Sequence, residues 1–316
     1  MKKLLALGLG LGLTLSAVSG SVIAAASLPV DKELLRQVVA NQYPPYPPGL
    51  SCGDFIPAFL GKELDSRCIA VSKELPSIAF VGDSHVSHFR ASLLTHFKKL
   101  APIEIGQTEC FPFTADDYQR KDERGTTCGE KQKALLAYLT SAASIETVVL
   151  SARWSLLMSG QDFHSGGDGW LKIAGMSAED KASFIKNGQH FVGSLLKAGK
   201  KVVLMRDIPD VDFEIPTCYN VRPVRLGASE IRQDCSMAQM PFEQRRQLQN
   251  AVLDEVLKPF PPVKVYDPVP VFCQKGICKA SDGTLPYYLN RDHVNNYGAE
   301  LVFKDFVPKI FPELKN

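Results

Sequence analysis

The chain has 316 residues, 36 basic and 34 acidic side chains, a formal net charge of +2, 45% apolar and 22% charged residues. That balance is ordinary for a globular protein able to bury a sizeable core, as one α/β domain or one domain plus a decoration. It excludes nucleic-acid binding by bulk charge, and no basic tract interleaved with exposed aromatics occurs.

Met1, Lys2 and Lys3 form a basic n-region, and Leu4 to Val18 an apolar h-region, followed by the small residues Ala24, Ala25 and Ala26. Residues 1–26 therefore read as a secretory signal peptide cut near Ala26, which predicts a soluble periplasmic or secreted protein. No later segment approaches the ~20 apolar residues of a membrane span. All eight cysteines lie beyond this leader. An even count in an exported chain predicts disulfides, and although eight cysteines allow 105 pairings, sequence neighbours are the expected partners. Those pairs are Cys52 with Cys68, Cys110 with Cys128, Cys218 with Cys235, and Cys273 with Cys278. No Cys-x-x-Cys pair and no histidine at finger spacing occurs, so neither a metal nor a thiol redox site is expected.

Residues 27–74 are rich in Pro and Cys and read as an arm packed on the main domain, with one helix over 32–41. Ser77 to Val81 is a short apolar run with β-branched residues, predicting a buried strand. It stops at Gly82, Asp83, Ser84 and His85, and Phe89, Leu93, Leu94 and Phe97 follow at helical spacing. Strand, tight polar turn and helix present a serine hydroxyl at the carboxyl edge of a sheet. Ile103 to Ile105 is a second strand, with a loop from Gly106 to Pro112. Lys131 to Ser141 is a helix, Thr147 to Ser151 a buried strand ending at Arg153, and 158–175 a loop carrying His164 and the glycines of 166–169. Ser177 opens a helix that Gly199 stops. Lys201 to Met205 is the next strand, and 210–240 an irregular excursion. Pro241 starts another helix, Val263 to Tyr266 is the last strand, and Tyr297 to Phe306 closes the chain.

Strands separated by helices predict an α/β fold, a parallel sheet of about five strands with helices on both faces. Ser84, Arg153 and Asp207 then fall at carboxyl ends of strands, the edge where such sheets bind ligands. No phosphate-binding loop follows any strand, and no cofactor is expected. A serine nucleophile needs a base, and the base an orienting acceptor. Among the histidines, His85, His88 and His96 share the segment after Ser84 and are expected to point away from its hydroxyl. His293, in a polar loop before the closing helix, is the candidate base.

Residues 75–316 read as one domain, of which about 75–311 resemble the SGNH (GDSL-like) hydrolases, most closely the SGNH domains attached to integral-membrane acyltransferases that O-acylate bacterial surface polysaccharides. Phe80 to His85 is similar to the first block in its Gly-Asp-Ser-His form. Val148 to Trp154 resembles the segment that replaces the Asn-containing third block, Val202 to Pro216 a further stretch, and Asn290 to Ala299 the final block. The resemblance implies a three-layer, flavodoxin-like sandwich with Ser84 as nucleophile and His293 as general base. It also implies an oxyanion hole from the Ser84 N–H, with Gly106 and the region of Arg153 as further oxyanion or substrate contacts. A structural ion pair is the competing reading for Arg153.

One position departs from the family. Its acid sits three residues before the histidine, where this chain has Asn290, and Asp292 is adjacent to His293 and not expected to reach Nδ1. Three arrangements stay open: Asn290 orienting His293, a locally shifted Asp292, or a Ser-His dyad. The implied function is an exported serine esterase or O-acyltransferase acting on acyl, chiefly acetyl, esters of cell-envelope carbohydrate. A transferase would require a separate membrane partner supplying acyl groups. The alternative, motivated by Asn290, is a catalytically weakened scaffold that binds glycan. A covalent fluorophosphonate adduct on Ser84 separates the two.

Overall fold

The computed structural model describes residues 52, 68–107, 110, 112–113, 127–155, 178–218, 235–283 and 285–314. The expected leader, the helix at 32–41 and the loop with His164 lie outside the described residues. In chain order the elements are β1 (Cys68–Ala70), β2 (Ile78–Gly82), α1 (Ser84–Ser87), α2 (Arg90–His96), β3 (Ile103–Gly106), α3 (Cys128–Ser141) and β4 (Thr147–Ser151). They continue with α4 (Ala178–Lys197), β5 (Lys201–Met205), β6 (Ser236–Ala238), α5 (Gln239–Leu257), β7 (Lys264–Tyr266) and α6 (Val269–Phe272). Last come β8 (Cys273–Gln274), β9 (Ile277–Lys279) and α7 (Asn296–Ile310).

Six strands form one sheet in the order β1-β3-β2-β4-β5-β7. The five expected parallel strands are all present, and the sixth, β1, pairs antiparallel with β3 along the edge. The sheet therefore begins inside the segment read as an arm. A three-residue strand in a Pro- and Cys-rich stretch is too short to show a period. Among the described residues no helix is long and apolar enough to cross a membrane.

Alternation along the strands divides the core in two. Ile78, Phe80, Val149, Val203 and Met205 face one layer, where Phe89, Leu93 and Phe97 meet Val302, Phe303 and Phe306 of α7. Ala79, Val81, Val148, Leu150, Val202 and Leu204 face the other, against α3, α4 and α5 through Leu135, Val192, Leu195, Leu253 and Val256. Because both faces are covered, β2 and β4 are buried at every position, which explains their unbroken apolar runs. The chain runs from β2 to β3 on one side and then crosses to β4 on the other. Ser84 thus follows the strand at which the order reverses, the crevice where open α/β sheets take ligands.

The eight cysteines pair as sequence neighbours: Cys52–Cys68, Cys110–Cys128, Cys218–Cys235 and Cys273–Cys278. Cys110–Cys128 ties the loop after β3 to the start of α3, and Cys273–Cys278 joins paired positions of the β8–β9 hairpin.

At Gly82 β2 lies close against β4, and a Cβ there would land on the Ser151 carbonyl, a backbone atom that cannot give way. Gly82→Ala is expected to destabilise by about 3 kcal/mol or more, as overpacking against backbone does. Urea denaturation reads this directly, and an unchanged midpoint would contradict so close an approach.

Candidate active site

Asp83 shapes the turn after β2. Its side chain caps α1 by accepting the His85 N–H at 2.7 Å through Oδ1, and Oδ2 accepts the Arg153 N–H at 2.9 Å. One buried carboxylate thereby fixes the serine turn to the end of β4. Asp207 repeats the device after β5, accepting the Trp154 and Ser155 N–H groups at 2.8 and 3.0 Å. Burial raises the Asp207 carboxyl to about 6, with the His85 charge and the two backbone donors opposing and Asp210 adding to the rise.

The histidine arrives from the other end of the chain. Asn290 Oδ1 accepts the backbone N–H groups of Asp292 and His293 at 3.1 and 2.7 Å, a side-chain turn that folds the loop back on itself. Leu289 N–H bonds to the His293 carbonyl, Val211 N–H to the Arg291 carbonyl, and the buried Tyr288 hydroxyl to the Pro209 carbonyl. The loop is thus held against the residues that follow β5. Asn295 then caps α7 by accepting from Tyr297 and Gly298.

This packing brings His293 Nε2 to 2.8 Å from Ser84 Oγ, across 209 residues of sequence. On the far side of the ring, Nδ1 is aligned on Asn290 Oδ1 at 3.3 Å, and Asp292 Oδ1 stands 3.2 Å away as an ion-pair contact. Of the three arrangements left open, the first two meet here: Asp292, not expected to reach Nδ1 on regular backbone, stands within ion-pair distance of it beside Asn290. The Asn290 turn departs from the regular backbone on which that expectation depended. Both oxygens converge on one nitrogen, one aligned with it and the other charged. Asp292 is 4% exposed. Burial alone would raise its carboxyl, but its contacts with His293 and His85 and the His293 and Arg153 charges hold it far below the ordinary carboxylate range.

Of the two expected readings of Arg153, the structure shows the ion pair, and Gly106 lies at a point of close packing. Arg153 Nη1 is 2.8 Å from Asp292 Oδ2 and Nη2 is 3.8 Å from Asp210 Oδ2, so the guanidinium faces acids behind the histidine. This favours the ion-pair reading over an oxyanion contact. Gly106 ends β3 beneath α1, where a Cβ would meet Ser87 Oγ. Close approach of helix and strand accounts for the glycine.

His85, expected to point away from the Ser84 hydroxyl, lies in the site. Its ring lies 4.7 Å from the His293 ring, and Nε2 is 3.4 Å from Asp292 Oδ2. The signal was its place in the Gly-Asp-Ser-His turn: α1 has only four residues, so the residue after Ser84 points into the floor of the site. His85, Asp292 and His293 bring potential ligand atoms within 4.8 Å of one another. A dication there would share Asp292 with the Arg153 guanidinium, so the set fits a proton-handling network better than a metal centre.

His88 is buried, and among the described residues neither ring nitrogen has a hydrogen-bond partner. Burial, then the charges of His85 and His293, hold its pKa well below the usual histidine value. The unfolded chain takes up this proton near pH 6.5 and the folded protein does not, so stability falls as pH drops below that value. His85 acts in the opposite sense. Burial alone would lower its pKa, but the Asp292 hydrogen bond and the Asp83 and Asp292 charges raise it. Its contribution is complete below the unfolded value and is lost as pH rises through the folded one. His88→Leu is expected to flatten the loss of thermal stability between about pH 7 and 5; an unchanged slope would assign that loss elsewhere.

Residues 53–308 match the family described as the SGNH domain (fused to AT3 domains). No curated protein matches the sequence. The periplasmic domain of a lipopolysaccharide acetyltransferase from Salmonella ser. Paratyphi A is similar in structure, with a TM-score of 0.50 at 10% identity over 76% of this chain and 85% of that one. That likeness shows a shared fold. A lipase from a goat rumen metagenome aligns with a TM-score of 0.42 at 11% identity, over 76% of this chain and 100% of its own. An acetylxylan esterase of Geobacillus stearothermophilus, in a catalytic-mutant form, gives 0.40 at 10% identity over 74% and 93%.

Proposed function

This chain belongs to the family of SGNH domains (fused to AT3 domains), and from that membership we propose an exported serine esterase or O-acyltransferase. Its substrates are acyl, chiefly acetyl, esters of cell-envelope carbohydrate. The observation that carries the reading is the 2.8 Å contact between Ser84 Oγ and His293 Nε2, backed at Nδ1 by Asn290 and an ionised Asp292.

In this reading the Ser84 hydroxyl donates to His293 Nε2 and loses its proton as Oγ attacks the acyl carbon. The Nδ1–H then faces Asn290 Oδ1 and the Asp292 carboxylate, which stabilises the imidazolium. The Ser84 backbone N–H is the proposed donor to the oxyanion. Collapse of the tetrahedral species expels the sugar oxygen, which takes the proton from Nε2 and leaves an acyl-Ser84. Water or a second sugar hydroxyl, deprotonated by His293, releases the acyl group. A transferase instead loads Ser84 from its delivered donor, whose leaving group takes the Nε2 proton in place of the sugar oxygen, and passes the acyl group to a sugar hydroxyl.

The basic start, small-residue stretch and disulfide pairs support export. The similar structure named above is a periplasmic domain of an acetyltransferase, which supports acetyl as the group and the envelope as the place. A transferase needs its acyl donor delivered, so a separate membrane acyltransferase is the proposed partner. The scaffold alternative loses its motive, because a carboxylate stands beside Nδ1 despite Asn290.

The test is hydrolysis of a small acetyl ester by the purified protein, with and without a polysaccharide acceptor. Acetyl release is expected in both, with acetylated glycan formed when the acceptor is present. Hydrolysis with no acetylated glycan restricts the function to esterase, and absence of turnover in both removes the enzyme reading.

A further inference from the structure

We infer that His85 is a positioning residue that, with Arg153, clamps Asp292 Oδ2 so that Oδ1 is turned to His293, compensating for the missing acid at position 290. The inference rests on the proposed serine chemistry and names a residue that this chemistry does not itself require.

The geometry is specific. His85 Nε2 lies 3.4 Å and Arg153 Nη1 2.8 Å from the same oxygen of Asp292, while the other oxygen stands 3.2 Å from His293 Nδ1. An aspartate beside its histidine in sequence has no intrinsic reason to turn one oxygen toward that ring. Two donors converging on Oδ2 supply the reason by fixing the carboxylate's rotation. The donors are themselves coupled, because the His85 and Arg153 backbone N–H groups share the two oxygens of Asp83. His85 is 1% exposed and its ring packs against His293, so it braces the base as well as the acid.

Charged and titratable groups surround His85 on every side. Asp83 and His88 face it from its own turn and helix, Asp292 and His293 from the loop before α7, Arg153 from the end of β4, and Asp207 from the end of β5. Acids outweigh both burial and Arg153, favouring an imidazolium that donates from Nε2. Nothing in this arrangement makes His85 touch the reacting atoms. Its effect passes through Asp292.

The experiment compares wild type, H85M and H85Q on a small acetyl ester. Met fills a similar volume without a donor, and Gln places an amide N–H near the position of Nε2. H85M is expected to lower kcat about 10²-fold, the scale of a catalytic group displaced by about 1 Å, with KM within about twofold. H85Q is expected to recover most of that loss. Wild-type kcat in H85M, or H85Q no better than H85M, overturns the clamp and leaves a packing residue. Should H85M fail to fold, H85Q alone decides, because a kcat about 10²-fold low with unchanged KM contradicts a donor role. Fluorophosphonate labelling of wild-type Ser84 separates the two levels. No label sinks the serine chemistry whatever His85 does, whereas labelled wild type with fully active H85M sinks only the clamp.

Discussion

Ser84→Ala is expected to abolish acyl-ester turnover, lowering kcat by at least about 10⁴-fold, with about 10⁶ as the scale seen when a serine hydrolase loses its nucleophile. Among the described residues the Oγ atom has one side-chain partner, His293 Nε2 at 2.8 Å. Its loss removes one contact of a partly buried histidine, so the fold is expected to hold within roughly 1 kcal/mol. Intact mass after fluorophosphonate treatment gives the sharpest reading: one adduct on wild type at neutral pH and none on the variant. His293→Ala is expected to fall to the same floor, and the double variant no further, because the pair acts as a unit. Labelling of Ser84→Ala at the wild-type rate would place the nucleophile elsewhere.

How legible the chain was depended on where a residue type has one meaning and where it has several. Strands β2, β4 and β5 stand where their apolar runs place them, because a strand covered on both faces shows no competing pattern. Helix α3 begins at Cys128, three residues before the expected Lys131. Thr127 and Glu130 form a reciprocal capping box there, a Thr-x-x-Glu signal that lay in plain sight. Strand β1 and the small β6-β9-β8 sheet went unread, being two- and three-residue strands whose pairing is decided by tertiary contacts. In the site, Ser84 and His293 were legible through chemistry and order along the chain. Neither the choice between the two readings of Arg153 nor the inward turn of His85 was legible, because a side chain's direction just past the end of a strand depends on the turns that follow. Asp83 and Asn290 make those turns by accepting two backbone N–H groups each.

The same turns set the ranking expected of the two residues behind His293. Asp292→Asn keeps an oxygen for Nδ1 but removes the charge, and in trypsin-type triads that exchange costs about 10⁴ in kcat. It also strips the Arg153 guanidinium of its 2.8 Å partner, while the contact with Asp210 at 3.8 Å stays. Breaking a buried pair costs about 3–5 kcal/mol, and the residual Asp210 contact puts the expectation toward the lower end. The wild-type stabilisation by Asp292 is complete above the ordinary carboxylate range and is lost only as pH falls through its depressed folded value. The variant is therefore expected to lose much of its stability at neutral pH and to show a shallower decline under acid. Asn290→Ala removes the acceptor of two backbone N–H groups, a loss of about 1–3 kcal/mol, but leaves the carboxylate. Its kcat is expected to fall far less than that of Asp292→Asn. Steady-state kinetics on both variants decides which oxygen supports the imidazolium. A larger kcat loss for Asn290→Ala would assign the orienting role to the amide and leave Asp292 as the counter-ion of Arg153.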